Sequence, residues 1–308
     1  MLALAILWLI WQNTHKNIGH LMANMADLVE TEILARFDSL VAEGIVYYNE
    51  DQHTIVHKDQ NLEFEFRITT ALTHKPTPGL LPTLSRYKPG SDIDASGFEV
   101  AAITTTHLLA FNKFCAARPH LLLLIQDGRR RQHEALDADD WAAAHVVLTP
   151  LGTSRQPHIF FNCGIDGGCS RLHKHMQIPR PGGYRLWLDE PVAEGIPYVY
   201  FVERFSGGLP GPEVLGMVYR RLLGEAERAL VIAAGSPEAQ DPGHAMPHNV
   251  LLTRDWMVVT PRRKLGLGGA NANAAAMLGM VWLSDDGVLG RWLELGPSRV
   301  LAEVGVPV

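Results

Sequence analysis

The segment richest in chemistry runs Phe160-Phe-Asn-Cys-Gly-Ile-Asp-Gly-Gly-Cys-Ser-Arg-Leu-His-Lys-His-Met-Gln-Ile-Pro179. His173, His175 and Gln177 fall two apart, so on an extended strand their side chains leave one face while Lys174, Met176 and Ile178 take the other. Before them lies a glycine-rich loop, Gly164 to Ser170, whose small residues let backbone N–H groups approach an anion. A neutral imidazole is a competent nucleophile towards phosphorus at pH 7, and a covalent phosphoramidate divides one hard displacement into two easier ones. A third histidine on that face could protonate a poor leaving group, whereas Gln177 only exchanges hydrogen bonds. Gln177 therefore suits a leaving group already stable as an anion, such as a polyphosphate, and an acceptor such as inorganic phosphate. The pattern points to nucleotidyl transfer rather than hydrolysis. Two other readings compete: a partly exposed strand edge without a role, and a zinc site built from Cys163, Cys169, His158 and His173, whose cysteine spacing is wider than the usual motif.

Those side chains need a sheet to hold them. Leu62-Glu-Phe-Glu-Phe-Arg-Ile68 alternates apolar and charged residues, the mark of a strand with one buried face. Further strands are expected at Phe98 to Ile103, His107 to Phe111, His120 to Ile125, His158 to Asn162, Leu172 to Ile178, Tyr184 to Leu188, Tyr198 to Val202, Asn249 to Thr253 and Met257 to Thr260. Ile33, Phe37, Leu40 and Val41 make a helical stripe that Gly44 can close. Other helices are expected at Ala138 to Leu148, Glu213 to Ala233, Asn273 to Leu283, and Val288 to Val304 with a break at Gly296-Pro297. Strands in clusters with helices between clusters predict an α+β fold with a largely antiparallel sheet, not a Rossmann fold. The expected division is an apolar extension over 1–22, an N-terminal half over 23–180 carrying the histidine strand, and a C-terminal half over 181–308 completing the site, the halves packed as one unit. Pro179 to Gly183 and Gly235 to Gly243 are the internal boundaries.

The chain has 308 residues and a formal charge of −6, so no basic field exists to hold a nucleic-acid polymer or an anionic membrane. With 47% apolar and 19% charged residues it is globular rather than disordered. Three cysteines, Cys115, Cys163 and Cys169, form no disulfide framework and suggest a reducing compartment, the cytoplasm first and the nucleus second. The apolar run Leu2 to Trp11 is half the length of a membrane span and lacks the charged leader and cleavage site of a secretion signal. A packed terminal helix is the preferred reading.

The segment resembles the diadenosine tetraphosphate phosphorylases (ATP adenylyltransferases) of the HIT and galactose-1-phosphate uridylyltransferase superfamily. Asn162, Gly164, Gly168, Ser170, His173, Lys174, His175 and Gln177 stand in that family's frame without a gap. Similar flanking blocks are Thr70-Ala-Leu-Thr-His-Lys-Pro76, His107 to Phe114 with Pro119 to Leu124, His248 to Arg262, and Asn273 to Met280, so the resemblance covers about residues 25–285. It implies a HIT-like antiparallel sheet with flanking helices. It further implies that His175 is the nucleophile taking AMP from the α-phosphate, that His173 orients the strand and ring, and that Gln177 holds the phosphoryl oxygens. Gly168, Cys169, Ser170 and Arg171 would cradle phosphates, Asn162 and Lys75 would contact the polyphosphate, and Asn112 with Lys113 would face the nucleoside. Asn273, Ala274, Ala275 and Met280 would border the second nucleotide. The partners implied are a dinucleoside polyphosphate, ATP, ADP and phosphate, with a divalent cation, Mg²⁺ first, accompanying the polyphosphate. No resident metal and no organic cofactor are expected, and the assembly is a monomer or small homo-oligomer. Departures from the family pattern are Cys163 for Gly, Arg171 for Gln, Leu172 for Pro and Ser284 for Lys, with Arg171 restoring charge near the phosphates.

Elsewhere, Arg129 to Arg131 reads as a solvated loop, and Pro261-Arg-Arg-Lys264 as the better anion contact. Lys264 to Asn271 fails the G-x-G-x-x-G spacing and reads as a mobile connection or lid, while Tyr219, Leu222, Leu223 and Ala226 read as core. The rival functions are a hexose-1-phosphate uridylyltransferase, a nucleotide sensor without turnover, and a zinc-structured interaction protein.

Overall fold

The computed structural model describes residues 31–75, 89–149, 157–180, 183–190, 194–235 and 243–308. The apolar extension over 1–22 lies outside them, as do residues 181–182 and 236–242 of the two expected boundaries.

The strands in chain order are β1 (His53–Asp59), β2 (Leu62–Ile68), β3 (Glu99–Ala102), β4 (His107–Phe111), β5 (His120–Ile125), β6 (Ile159–Cys163), β7 (His175–Pro179), β8 (Phe201–Arg204), β9 (His248–Leu252), β10 (Trp256–Pro261), β11 (Gly266–Leu267), β12 (Ala270–Asn271) and β13 (Met280–Leu283). Eight of them form one sheet in the order β3-β4-β5-β7-β6-β9-β10-β8. Every neighbouring pair in it is antiparallel. The strand bearing the histidines is therefore central, and strands from both sides of residue 180 share the ladder. A second sheet, β1-β2-β13, has β13 parallel to β2.

Both faces of the large sheet are covered, which is why β4, β5 and β6 read as continuous apolar runs. Ile159, Phe161, Cys163, Met176, Ile178, Val250 and Val259 point into one core with the helix over residues 31–42 (α1), α2 (Ala138–Leu148) and α3 (Pro212–Ala234). Phe160, Leu251, Trp256 and Val258 point into the other with β2, β13, α4 (Asp286–Leu295) and α5 (Pro297–Val304). Helix α2 starts where expected because Asp137 and Asp140 form a capping box. Tyr219, Leu222, Leu223 and Ala226 are core, as their spacing indicated.

Three expected elements differ. Asn273 to Leu283 is not a helix. A single tight turn at Ala276–Leu278 gives way to β13, because Gly279 sits at φ +88° with Tyr184 and Trp187 packed where a side chain would be. Tyr184 to Leu188 is not a strand. Tyr184 Oη and Trp187 Nε1 both donate to the Glu63 carbonyl, 2.7 and 2.8 Å away, and the chain turns over residues Trp187–Asp189. The ladder of β7 begins at His175 rather than Leu172, since the N–H groups of Leu172 and His173 are taken by the Asp92 carboxylate at 2.8 and 2.9 Å. The segment read as a lid is the β11–β12 hairpin, with Gly266 opposite Asn271.

Candidate active site

His175 is buried at the start of β7, opposite Leu124 of β5. Its backbone is clamped by Gln132, whose Oε1 accepts the His175 N–H at 2.8 Å and whose Nε2 donates to the carbonyls of His175 and Asn162 at 3.0 and 3.1 Å. The ring is held from its own strand, with Nδ1 lying 2.8 Å from the His173 carbonyl oxygen. A carbonyl only accepts, so Nδ1 carries the proton and the lone pair resides on Nε2. Burial lowers the pKa of this ring, and Arg171 and Lys75 lower it further against the opposing pull of the His173 carbonyl and Asp92. The outcome is a neutral imidazole at pH 7 with an unprotonated Nε2.

His173 is a fixed support. It is 1% exposed, with Nε2 on the Asp127 carbonyl at 3.1 Å and Nδ1 at 2.7 Å from Ser91 Oγ, and burial brings its pKa to about 4. On the opposite face Lys174 Nζ donates to Asp140 at 2.6 Å and the Ala135 carbonyl at 2.7 Å. Asp140 in turn meets His107 Nε2 at 3.0 Å. Alternation thus sends the lysine beneath the sheet and leaves the imidazole above it.

Gln177, two residues beyond His175, lies opposite Leu122 and Phe160. Next to it is His120, 2% exposed, whose pKa falls to about 3 through burial and the Lys75 charge, with a smaller upward pull from the Gln177 amide. Asn112 Oδ1 accepts the Phe114 N–H at 3.1 Å, which turns its Nδ2 towards His120 Nδ1 at 3.3 Å. Asn112 and Lys113, expected together, are separated by the pleat: Lys113 Nζ lies over the Tyr47 and Phe98 rings at 5.9 and 5.8 Å. Lys75 follows the Thr70–His74 turn and is exposed as a residue, while protein atoms crowd its ammonium. That crowding, with Arg171 second, brings its pKa down to about 8.

The glycine-rich loop folds back on itself, Gly168 N donating to Ile165 O at 2.8 Å and Cys169 N to Gly164 O at 3.2 Å. Arg171 Nη1 donates to Ser170 O at 3.2 Å, and burial pushes the Cys169 thiol up to about 11. Asn249 Nδ2 ties this loop to β6 by donating to Gly167 O at 2.6 Å and Asn162 Oδ1 at 3.0 Å. Asn162 is thus 2% exposed with its oxygen shared between Asn249 and the Ala274 N–H. Asn273 Oδ1 caps the turn through Ala276 N, while Ala274, Ala275 and Met280 are buried against the second core. Arg262 is 1% exposed rather than open to an anion, donating to Asn249 Oδ1 at 2.6 Å and Ala272 O at 2.9 Å. Arg130 of the basic run pairs with Glu134 and Asp137.

Sequence reasoning missed Gln132, Asp92, Ser91 and Asn249, polar residues whose importance comes only from distant partners. Gln132 follows three arginines and carries no pattern of its own. The zinc reading has no support, because among the described residues no group of three or more His, Cys, Asp or Glu is placed to hold a metal. Among them, too, no helix is long and apolar enough to cross a membrane.

Residues 50–182 match the family described as Ap4A phosphorylase N-terminal domain, and residues 194–307 the one described as ATP adenylyltransferase C-terminal domain. A curated relative from Saccharomyces cerevisiae, diadenosine 5',5'''-P1,P4-tetraphosphate phosphorylase 2, is 28% identical over 212 residues, 58% of this chain and 62% of that protein. The match thus spans somewhat under two thirds of the curated relative. Protein APA1 of the same yeast is 24% identical over 92% of this chain and 95% of its own length. The fold is that of the crystal structure of yeast Ap4A phosphorylase Apa2, with a TM-score of 0.70 at 21% identity, covering 91% of this chain and 97% of that one. Its complex with Ap4A gives 0.68 at 22% identity, covering 91% and 97% of the two chains.

Proposed function

The chain belongs to the family of Ap4A phosphorylases and ATP adenylyltransferases, and from that premise we propose that it cleaves dinucleoside polyphosphates phosphorolytically through an adenylyl-His175 intermediate. The observation that carries this reading is the 2.8 Å contact from His175 Nδ1 to the His173 carbonyl, which leaves Nε2 as a neutral nucleophile. In the first displacement the Nε2 lone pair forms a bond to the α-phosphorus of diadenosine tetraphosphate while the bond to the bridging oxygen breaks, and ATP departs as an anion. Adenylated imidazole carries positive charge, and the His173 carbonyl dipole at Nδ1 offsets it. In the second displacement an oxygen of inorganic phosphate attacks the same phosphorus, Nε2 leaves with its electron pair, and the product is ADP.

Neither step needs a proton from the third position of the motif, which suits Gln177. Lys75, Arg171 and the N–H groups of the Gly164–Ser170 loop supply positive potential where the polyphosphate lies. A divalent cation, with Mg²⁺ the first candidate, enters with the polyphosphate, which supplies the oxygens such an ion prefers. We also propose that Lys75, Ser170 and Arg171 contact phosphate, that Asn112 stands on the nucleoside side, and that the Asn273–Met280 stretch borders the second nucleotide. Cys115 and Cys163, buried free thiols, accord with a cytoplasmic setting.

Product analysis with diadenosine tetraphosphate tests the reading. ADP and ATP should appear only when phosphate is present, and His175→Ala should abolish turnover and the acid-labile adenylyl-protein. AMP and ATP without phosphate, or normal turnover of the variant, would refute it.

A further inference from the structure

The sheet face that bears His175 and Gln177 also meets two buried hydrogen-bond donors, one without a partner and one with only the Gln177 amide beside it. His120 Nδ1 accepts from Asn112, so its proton resides on Nε2, which is buried, makes no well-formed hydrogen bond and has only the Gln177 amide drawing on it. The indole Nε1–H of Trp282 is buried and unpartnered as well. The two rings meet edge to face at 5.2 Å, and the indole also packs on Phe160, the β6 residue opposite Gln177, at 5.8 Å. Trp282 comes from β13 in the second sheet, so two separate parts of the fold bring these two rings together.

A buried donor left unsatisfied is a cost that folded proteins rarely carry without reason. The indoles of Trp141 and Trp292 are also unpaired, but each lies in an apolar core, against Tyr219 and Phe66 respectively. His120 and Trp282, by contrast, touch each other beside the reactive strand. We propose that His120 Nε2–H and Trp282 Nε1–H are the donors of a phosphate-oxyanion subsite next to Gln177, which takes an oxygen of the departing polyphosphate in the first displacement and of inorganic phosphate in the second. The proposal rests on the phosphorolytic reading above and adds to it the place where the acceptor is held.

The missing partner must accept, since both groups can only donate. It should be anionic, because Lys75 acts electrostatically on both His120 and His175, and Arg171 on His175. Gln177 lies two strand residues from His175, roughly 6.6 Å along the chain, which is the scale separating an α-phosphorus from the outer phosphoryl oxygens beyond it. Keeping His120 neutral allows it to donate without surrendering its proton, so the subsite stabilises oxygen charge and transfers nothing.

Trp282→Phe is the decisive variant, because it keeps a smaller aromatic side chain at the position and deletes the unpaired N–H. Titration calorimetry with ADP and with adenosine, a thermal melt, and the KM for phosphate are measured on parent and variant. We expect the variant to melt cooperatively as the parent does, ADP to bind roughly ten- to hundred-fold more weakly, adenosine to bind as before, and the phosphate KM to rise in the same proportion. Unchanged ADP affinity would overturn the proposal, whatever happens to stability. An equal loss for adenosine would overturn it too, placing the indole on the nucleoside. Failure of the parent to need phosphate would sink the phosphorolytic reading, while the ADP and adenosine titrations would still decide whether the two donors bind a phosphate.

Discussion

Gly168→Ala should be far more damaging than Gly164→Ala, although both change one hydrogen to a methyl in the same loop. Gly164 and Gly168 have φ of +73° and +88°, so either substitution incurs the left-handed penalty of an L-residue, about 1–2 kcal/mol. At Gly164 the cost ends there, since nothing lies within 4 Å of the new carbon. At Gly168 a Cβ would stand 2.5 Å from the Ala272 carbonyl oxygen and 2.9 Å from the Asn273 Cα, both backbone atoms that cannot rotate away. The loop must recede by about 0.5 Å or more to relieve this contact, and the segment it recedes from is the one we assign to the second nucleotide. Misplacement of reacting groups on the ångström scale costs up to about a hundredfold in rate. Gly168→Ala should therefore lose about ten- to a hundredfold in kcat/KM for diadenosine tetraphosphate, and Gly164→Ala less than about threefold. Urea denaturation should show Gly164→Ala destabilised by about 1–2 kcal/mol and Gly168→Ala by more. Equal catalytic losses in the two variants would refute the claim that the loop works by its close seat on Ala272 and Asn273.

Asp140→Asn should destabilise the protein by about 3 kcal/mol, because it removes the carboxylate from a lysine whose side chain is 1% exposed; a urea midpoint close to that of the parent would contradict the ion pair. Acid should unfold the protein early. Burial brings His120 to about 3 and His173 and His248 to about 4, all below the value of the unfolded chain, so the unfolded state binds more protons as pH falls. The stability these neutral rings contribute is complete above about pH 6.5 and is lost as pH drops towards their folded values, by about 2 kcal/mol for each ring at pH 5. Circular dichroism across pH 7 to 4 checks this, and a urea midpoint that stays flat from pH 7 to 5 would count against it.

The elements that carried periodicity were legible without coordinates. Helix α2 runs over the expected residues, α3 and the split tail differ by a residue or two, and β4, β5, β6, β9 and β10 fall close to their apolar runs, whereas β7 and β8 each begin three residues later than expected. What failed had a tertiary cause in each case. An alanine-rich stretch with strong helix propensity became a turn and a strand because Gly279 and two aromatic side chains demanded a tight crossing. His53–Asp59 has too few apolar residues to announce a strand, and exists through seven paired positions with β2. At the site, the residues we propose for the chemistry, His173, His175 and Gln177, stood out by type and spacing, whereas the residues that hold them did not. Gln132 and Asp92 act on atoms more than forty and about eighty positions away, a relation that no local pattern contains.

The polar network beneath the glycine loop explains why both sides of residue 180 must be present for the site to have a shape. Asn162 and Asn249 are register partners across β6 and β9, so their amides are set by backbone pairing, and from that fixed pair bonds run to Gly167, Ala274 and Arg262. Arg262 makes no ion pair among those of the described residues, and its guanidinium is met by the oxygens of Asn249, Gly167, Val304, Lys264, Leu265 and Ala272. Burial lowers its pKa only to about 10, so it remains charged at pH 7. A buried cation satisfied by dipoles instead of a carboxylate keeps its field. Seated under the glycine loop, it would add positive potential from below to that which we propose Lys75 and Arg171 supply to a bound phosphate. It also ties the loop to the Ala272–Ala275 segment through Gly167 O and Ala272 O, so on our proposal the span offered to a polyphosphate is set before the substrate arrives.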